Sequence, residues 1–295
     1  MTFPVVLLAG LAAAAPAPRN VRVDGQRFVL TATNASIVLS GPNIVVKGPP
    51  WLPSVSGDSV CADHVDDACS ATGTCTSCTT FNAADVAHIK SIGGNAIRLG
   101  VVWAGAQPRD EDALDPAFVA RLHAVLNLTD QLGLHVTLDN HGDMVGTAGC
   151  GNGVPMWFQQ KAAADLIGKP LKTSAFWSVL GPAFGWKLDI TKLNGYDHCG
   201  DNATKWAEFA GDPNYNLLNG CCQSMNAGGN PQQIGFSEIS QRTMDYLVEE
   251  GEGRTAFARY WGLMAQAVAG HPSAVGCELM NEPMLIIKVR RAGLP

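Results

Sequence analysis

The chain has little charge. Only 16% of its 295 residues are Asp, Glu, Lys or Arg, and the net charge is −6. It has no basic run, so the cationic surface that nucleic-acid binding requires is excluded. It also lacks a long hydrophobic run: Val5 to Ala15 is apolar but too short to cross a bilayer, so stable membrane insertion is not expected. No zinc spacing is present. Cys75-Thr76-Ser77-Cys78 has no His or Cys partners at ribbon or finger distance, and neither a metal nor a cofactor is expected.

What is present points outward from the cell. The N-terminus reads MTFPVVLLAGLAAAAPAPRN, an apolar stretch followed by small residues, and residues 1–17 are expected to be a signal peptide. An apolar strand or an anchor is the plainer alternative, because no Lys or Arg precedes the run. Eight of the nine cysteines (Cys61, Cys69, Cys75, Cys78, Cys150, Cys199, Cys221 and Cys222) fall in two polar, loop-like regions, where disulfides are expected. The ninth, Cys277, lies in an apolar run and is expected to be buried and unpaired. Asn34, Asn127 and Asn202 each open an acceptor triplet for glycosylation. A secreted, disulfide-bonded glycoprotein is the expectation.

From residue 18 onward the elements alternate. VRVDGQRFVL carries Asp24-Gly25 between β-rich runs, a hairpin signal. NIVVKGPPW (43–51) is a first buried strand. Asn82 caps a helix whose apolar face is Val86, Ile89 and Ile92, stopped by Gly93-Gly94. NAIRLGVVW (95–103) is a second strand. Asp115-Pro116 opens a helix with an inner stripe of Phe118, Leu122, Val125, Thr129 and Leu132, ended by Gly133. LHVTLDNHGD (134–143) is a third strand. Arg254 to Ala269 forms a helix with Phe257, Trp261, Met264 and Val268 facing in, and AVGCELMNE (274–282) is a fourth strand. Long loop insertions at 52–80 and 144–252 follow strands one and three. This alternation predicts a parallel sheet covered by helices. The residues after strand one read GPPWLP, which provides no amide nest for a phosphate, so a doubly wound nucleotide-binding sheet is disfavoured. A (β/α)8 TIM barrel, with its site on the C-terminal ends of the strands, fits better.

The polar residues at those ends carry a resemblance. VGCELMNEP, NAIRLGVVW and LDNHGD resemble the strand-four, strand-two and strand-three segments of glycoside hydrolase family 5, the cellulase-like retaining glycosidases. The H-x-D form His141-Gly142-Asp143 resembles the endoglycoceramidase-like branch. The resemblance implies that Glu282 is the catalytic acid/base and that Asn281 contacts a sugar hydroxyl. It implies that Arg98 bonds the nucleophile carboxylate and that His141 lines the sugar subsite. Asp143, Trp51 and Trp103 are further substrate-binding candidates, the tryptophans as stacking platforms at strand ends. Plainer readings stand beside these: Arg98 as a structural ion-pair residue, His141 as a satisfied strand-end histidine, and Asp143 as the cap of an Asx turn. Trp157, Trp177, Trp186 and Trp206 can equally form a small core of their own, and Glu278 is expected to be structural.

Retaining hydrolysis needs two carboxyls about 5–5.5 Å apart, one of them protonated near neutral pH by burial beside the other. The family's nucleophile ends strand seven. Here the later acids Glu208, Glu238 and Glu249 lie in the insertion or in helices, and MLIIKVRRAGLP follows Pro283. The expectation is therefore a barrel truncated after strand four, domain 18–295. Its expected function is that of a secreted β-glycosidase acting on a polysaccharide or glycolipid, inactive as this chain. A glycan-binding pseudoenzyme and a disulfide-rich extracellular interaction protein are the alternatives.

Overall fold

The computed structural model describes residues 19–46, 51–56, 80–142, 145–146, 153–167 and 235–283. The expected signal peptide, the eight loop cysteines, Asp143, Trp177, Trp186, Trp206 and Asn202 lie outside the described residues.

Three short strands come first among the described residues: β1 (Val21–Asp24), β2 (Arg27–Leu30) and β3 (Ser36–Ile37). They form an antiparallel sheet. The predicted hairpin is there, with Asp24 opposite Arg27 and Gly25 at φ +60°, a conformation that glycine adopts without strain. Arg19 ties this segment to the second half of the chain by donating to the carbonyls of Val268 (3.1 Å) and His271 (2.8 Å).

The central sheet is parallel, with β4 (Asn43–Ile44), β5 (Ala96–Gly100), β6 (His135–Asp139) and β7 (Ala274–Glu278) in sequence order. Each strand is shorter than its apolar run. The runs continue into the polar turns that build the site, where pairing stops. Ile97, Leu99, Val136 and Leu138 pair across neighbouring strands and are buried on one face of the sheet, where they join the core with residues of the helices.

The helices follow local signals. In α1 (Ala83–Ser91), the Asn82 side chain accepts from the Ala84 amide, and Asp85 accepts from the Asn82 amide, a capping box. Val86 and Ile89 face the core, but Ile92 sits at the C-cap and is exposed, since the helix ends before it can rotate inward. A short α2 (Trp103–Ala106), not foreseen from the sequence, follows β5 directly. In α3 (Pro116–Leu132), Asp115 accepts from the Ala117 and Phe118 amides, and Gly133 closes the helix at φ +67°. Its buried stripe is Phe118, Leu122, Val125, Leu126 and Thr129. Full burial of each large apolar side chain contributes about 1.5–3 kcal/mol.

Part of the expected insertion is regular. It contains α4 (Met156–Ala163) and α5 (Glu238–Val248), which pack together. In α6 (Glu252–Ala267) the buried positions are Gly253, Ala256, Tyr260 and Met264, with Val268 just beyond. Phe257 and Trp261 lie at the margin of this face. The stripe is turned by one residue from the expected one, because Tyr260 rather than Trp261 fills the space against Trp103. Cys277 is a free thiol and is exposed, not buried. It lies on β7, the edge strand of the described sheet.

Candidate active site

Strand parity puts the polar groups together. Arg98 stands opposite Thr137 on β6, and Gly100 opposite Asp139, which in turn pairs with Glu278 on β7. Arg98, Asp139 and Glu278 therefore project from one face of the sheet, while Leu99 and Leu138 project from the other.

Arg98 is the centre of the cluster. Its Nε donates to Glu278 Oε2 at 2.7 Å, and its Nη2 donates to Glu278 Oε1 at 2.5 Å. The same Nη2 donates to Asn281 Oδ1 at 3.0 Å. Nη1 lies 2.9 Å from Asp139 Oδ2 and 3.1 Å from His141 Nδ1. Asp139 is wholly buried, and its Oδ2 also lies 2.6 Å from His141 Nδ1. His141 Nδ1 thus stands between a donor, Arg98 Nη1, and an acceptor, Asp139 Oδ2. The bonded Glu278 pushes the Arg98 pKa up, with Asp139 and Glu282 adding to the effect. In return the Arg98 guanidinium holds the Glu278 carboxyl below its ordinary value.

Backbone bonds bring the strand ends into line. The Asn140 amide donates to the Glu278 carbonyl at 3.2 Å, and the Asn140 carbonyl accepts from the Asn281 amide at 3.1 Å. Its side-chain Oδ1 accepts from the Trp103 amide at 3.1 Å. One nearly buried residue thus joins the ends of β5, β6 and β7. Glu282 follows, exposed, with φ +38°. A non-glycine residue in the left-handed region costs roughly 1–2 kcal/mol, and such strain concentrates at functional sites.

Of the sequence candidates, Arg98, His141, Asn281 and Glu282 lie at one end of the parallel strands. Glu282 is on the surface, where the sequence suggested a buried carboxyl. Trp103 is not a stacking platform. Its ring is fully buried, stacked on Tyr260 at 5.4 Å and edge-on to Trp157 at 5.8 Å, with Nε1 donating to Gln107. The aromatic residues of α4 and α6 enclose it, and the first turn of α2 directs it inward. Trp51 is also buried, with φ +66°, and packs so tightly on Gly105 that a Cβ there would stand 2.1 Å from its ring. Trp157 joins the same aromatic core, whereas the separate loop core expected for it involves Trp177, Trp186 and Trp206, which lie outside the described residues. Sequence reasoning missed three members of the cluster: Glu278, which was expected to be structural, Asp139 and Asn140. Parity relative to Arg98 marks the first two, but parity needs the inter-strand register.

Four parallel strands joined by helical crossovers, with polar side chains gathered at their C-terminal ends, match the build of a (β/α)8-type architecture, whose sites lie on that face. The cellulase model of glycosyl hydrolase family 5 matches residues 63–180. The endoglycoceramidase of Cyanea nozakii is 22% identical over 286 residues, 96% of this chain and 46% of that protein. Endoglycoceramidase I of Rhodococcus hoagii is 26% identical, over 90% of this chain and 37% of that protein. A solved structure, the Rhodococcus endo-glycoceramidase II in a cellobiose-like imidazole complex, superposes with a TM-score of 0.50 at 17% identity, covering 90% of this chain and 42% of its own. The chain is similar to glycosyl hydrolase family 5 over residues 63–180 and to endoglycoceramidases over most of its length. It spans less than half the length of these relatives.

Proposed function

We propose that this chain supplies the acid/base side of a retaining β-glycosidase site whose substrate is a glycolipid. The observation that carries this reading is the convergence of Arg98, His141, Asn281 and Glu282 at one end of β5, β6 and β7. Glu282 protonates the departing glycosidic oxygen and later deprotonates water. Asn281 and His141 hold the sugar. Arg98 keeps the neighbouring carboxylates ionised and in place. The names of the relatives favour a glycosylceramide-type substrate over a polysaccharide.

Two described carboxylates of the cluster, those of Asp139 and Glu278, are both engaged by Arg98. Secretion, disulfides in the 52–80 and 144–252 regions and glycosylation belong to the same proposal. Asn127 is exposed on α3, and Asn34 is exposed in the turn after β2.

The test is hydrolysis of a glycosylceramide and of an activated aryl β-glycoside by the protein at its full natural length. Glu282→Gln is expected to abolish cleavage of the glycosylceramide, whose leaving group needs a proton. It should spare much of the first step on the activated substrate. Equal loss on both substrates, or none on either, would remove Glu282 from the acid/base role.

A further inference from the structure

We propose that Glu278 is a positioning residue: through a two-point grip on Arg98 it sets the orientation of the Asn281 amide beside Glu282. The catalytic consequence rests on the glycosidase reading above, whereas the coupling between the three side chains does not.

The geometry requires a second anchor on Arg98. Arg98 is opposite Thr137, and Thr137 is opposite Gly276. Glu278 is two residues further along β7, so the Arg98 side chain leans across two strands and about 6–7 Å toward their C-terminal ends to meet it. Asp139 alone would hold the guanidinium at Nη1 and leave it free to pivot about that contact. Glu278 bonds both Nε and Nη2. A planar guanidinium held at two nitrogens has no remaining freedom, so the direction of Nη2 is set, and Nη2 is the group that bonds Asn281 Oδ1. Asn281 is nearly buried, so its amide cannot turn without giving up that bond. The Glu278 side chain is itself 41% exposed. A half-exposed ion pair adds little to stability, so the contact matters more for orientation than for folding.

The experiment uses Glu278→Gln, which keeps the shape and removes the charge, and Arg98→Lys, which keeps the charge and removes the fork. In the 15N-labelled chain, the Asn281 side-chain amide is assigned by its loss in Asn281→Asp, and the Arg98 Nε–H signal by its loss in Arg98→Lys. In Glu278→Gln the Arg98 Nε–H should exchange with water on the order of tenfold faster, and the Asn281 amide pair should shift or broaden. Arg98→Lys should move the Asn281 pair in the same way. At full natural length, kcat on an aryl β-glycoside should fall on the order of 10²-fold in both variants, with KM changed by less than about threefold. Unchanged Asn281 and Arg98 signals in folded Glu278→Gln would overturn the proposal, as would an unmoved Asn281 pair in Arg98→Lys. An unchanged kcat in an active protein would overturn its catalytic part. If the wild type cleaves no glycoside, the glycosidase reading fails, and the resonances still decide the coupling.

Discussion

Replacing Arg98 with methionine tests which of its two carboxylate partners depends on it for stability. Asp139 is fully buried, Glu278 is 41% exposed, and Arg98 itself is 23% exposed. Breaking a buried ion pair by removing one member costs about 3–5 kcal/mol, because the other charge is left without compensation. A half-exposed pair contributes about 0–1 kcal/mol, since water replaces the lost partner. Nearly all of the cost of Arg98→Met should therefore come from Asp139, which would keep only His141. About 3 kcal/mol, the low end of the range, suits a site whose guanidinium already touches water. For a domain of this size that lowers Tm by roughly 6–12 °C. The assay is calorimetry or urea unfolding of four proteins at neutral pH: wild type, Arg98→Met, Arg98→Met/Asp139→Asn and Arg98→Met/Glu278→Gln. Adding Asp139→Asn should recover more than half of the loss, because it removes the stranded charge and keeps the shape. Adding Glu278→Gln should recover less than about 1 kcal/mol. If the Glu278 change rescues as well as the Asp139 change, burial does not determine the cost and the reasoning is wrong.

Acid stability follows from the same cluster. The Glu278 carboxyl titrates below its unfolded value because Arg98 bonds it, so its contribution is present above about pH 4–5 and is lost as pH falls through the depressed value. The Tm gap between wild type and Glu278→Gln should therefore close between pH 6 and pH 2–3; a constant gap would contradict this. In the core, Tyr260 is fully buried and its hydroxyl donates to the Val101 carbonyl. Tyr260→Phe keeps the ring and leaves that carbonyl without its donor, at a cost of about 1–3 kcal/mol by urea unfolding, and a change under 0.5 kcal/mol would mean that water replaces the hydroxyl.

The sequence by itself determined the local structure. Asn82 and Asp115 begin helices and Gly133 ends one, because capping and left-handed φ are decided within a few residues. The order of strands and helices was legible from periodicity, and with it the parallel sheet. His141, Asn281 and Glu282 were legible as candidates because polar groups at the ends of apolar strands are costly unless they have partners, and Arg98 through the family resemblance of its strand. Only the tertiary structure decided which partners those are. Arg98 meets Glu278 and Asp139 because the register sets Asp139 beside Glu278, 139 residues away in the chain, and periodicity along one strand carries no information about its neighbour's register. Trp103 was misread for the same kind of reason. An aromatic residue at a strand end suits a sugar platform or a core equally well, and what placed it inside is its packing against Tyr260, Phe257, Trp157 and Phe158 from two later helices. Burial is a property of all the elements that converge on a side chain, and one segment of sequence names only one of them.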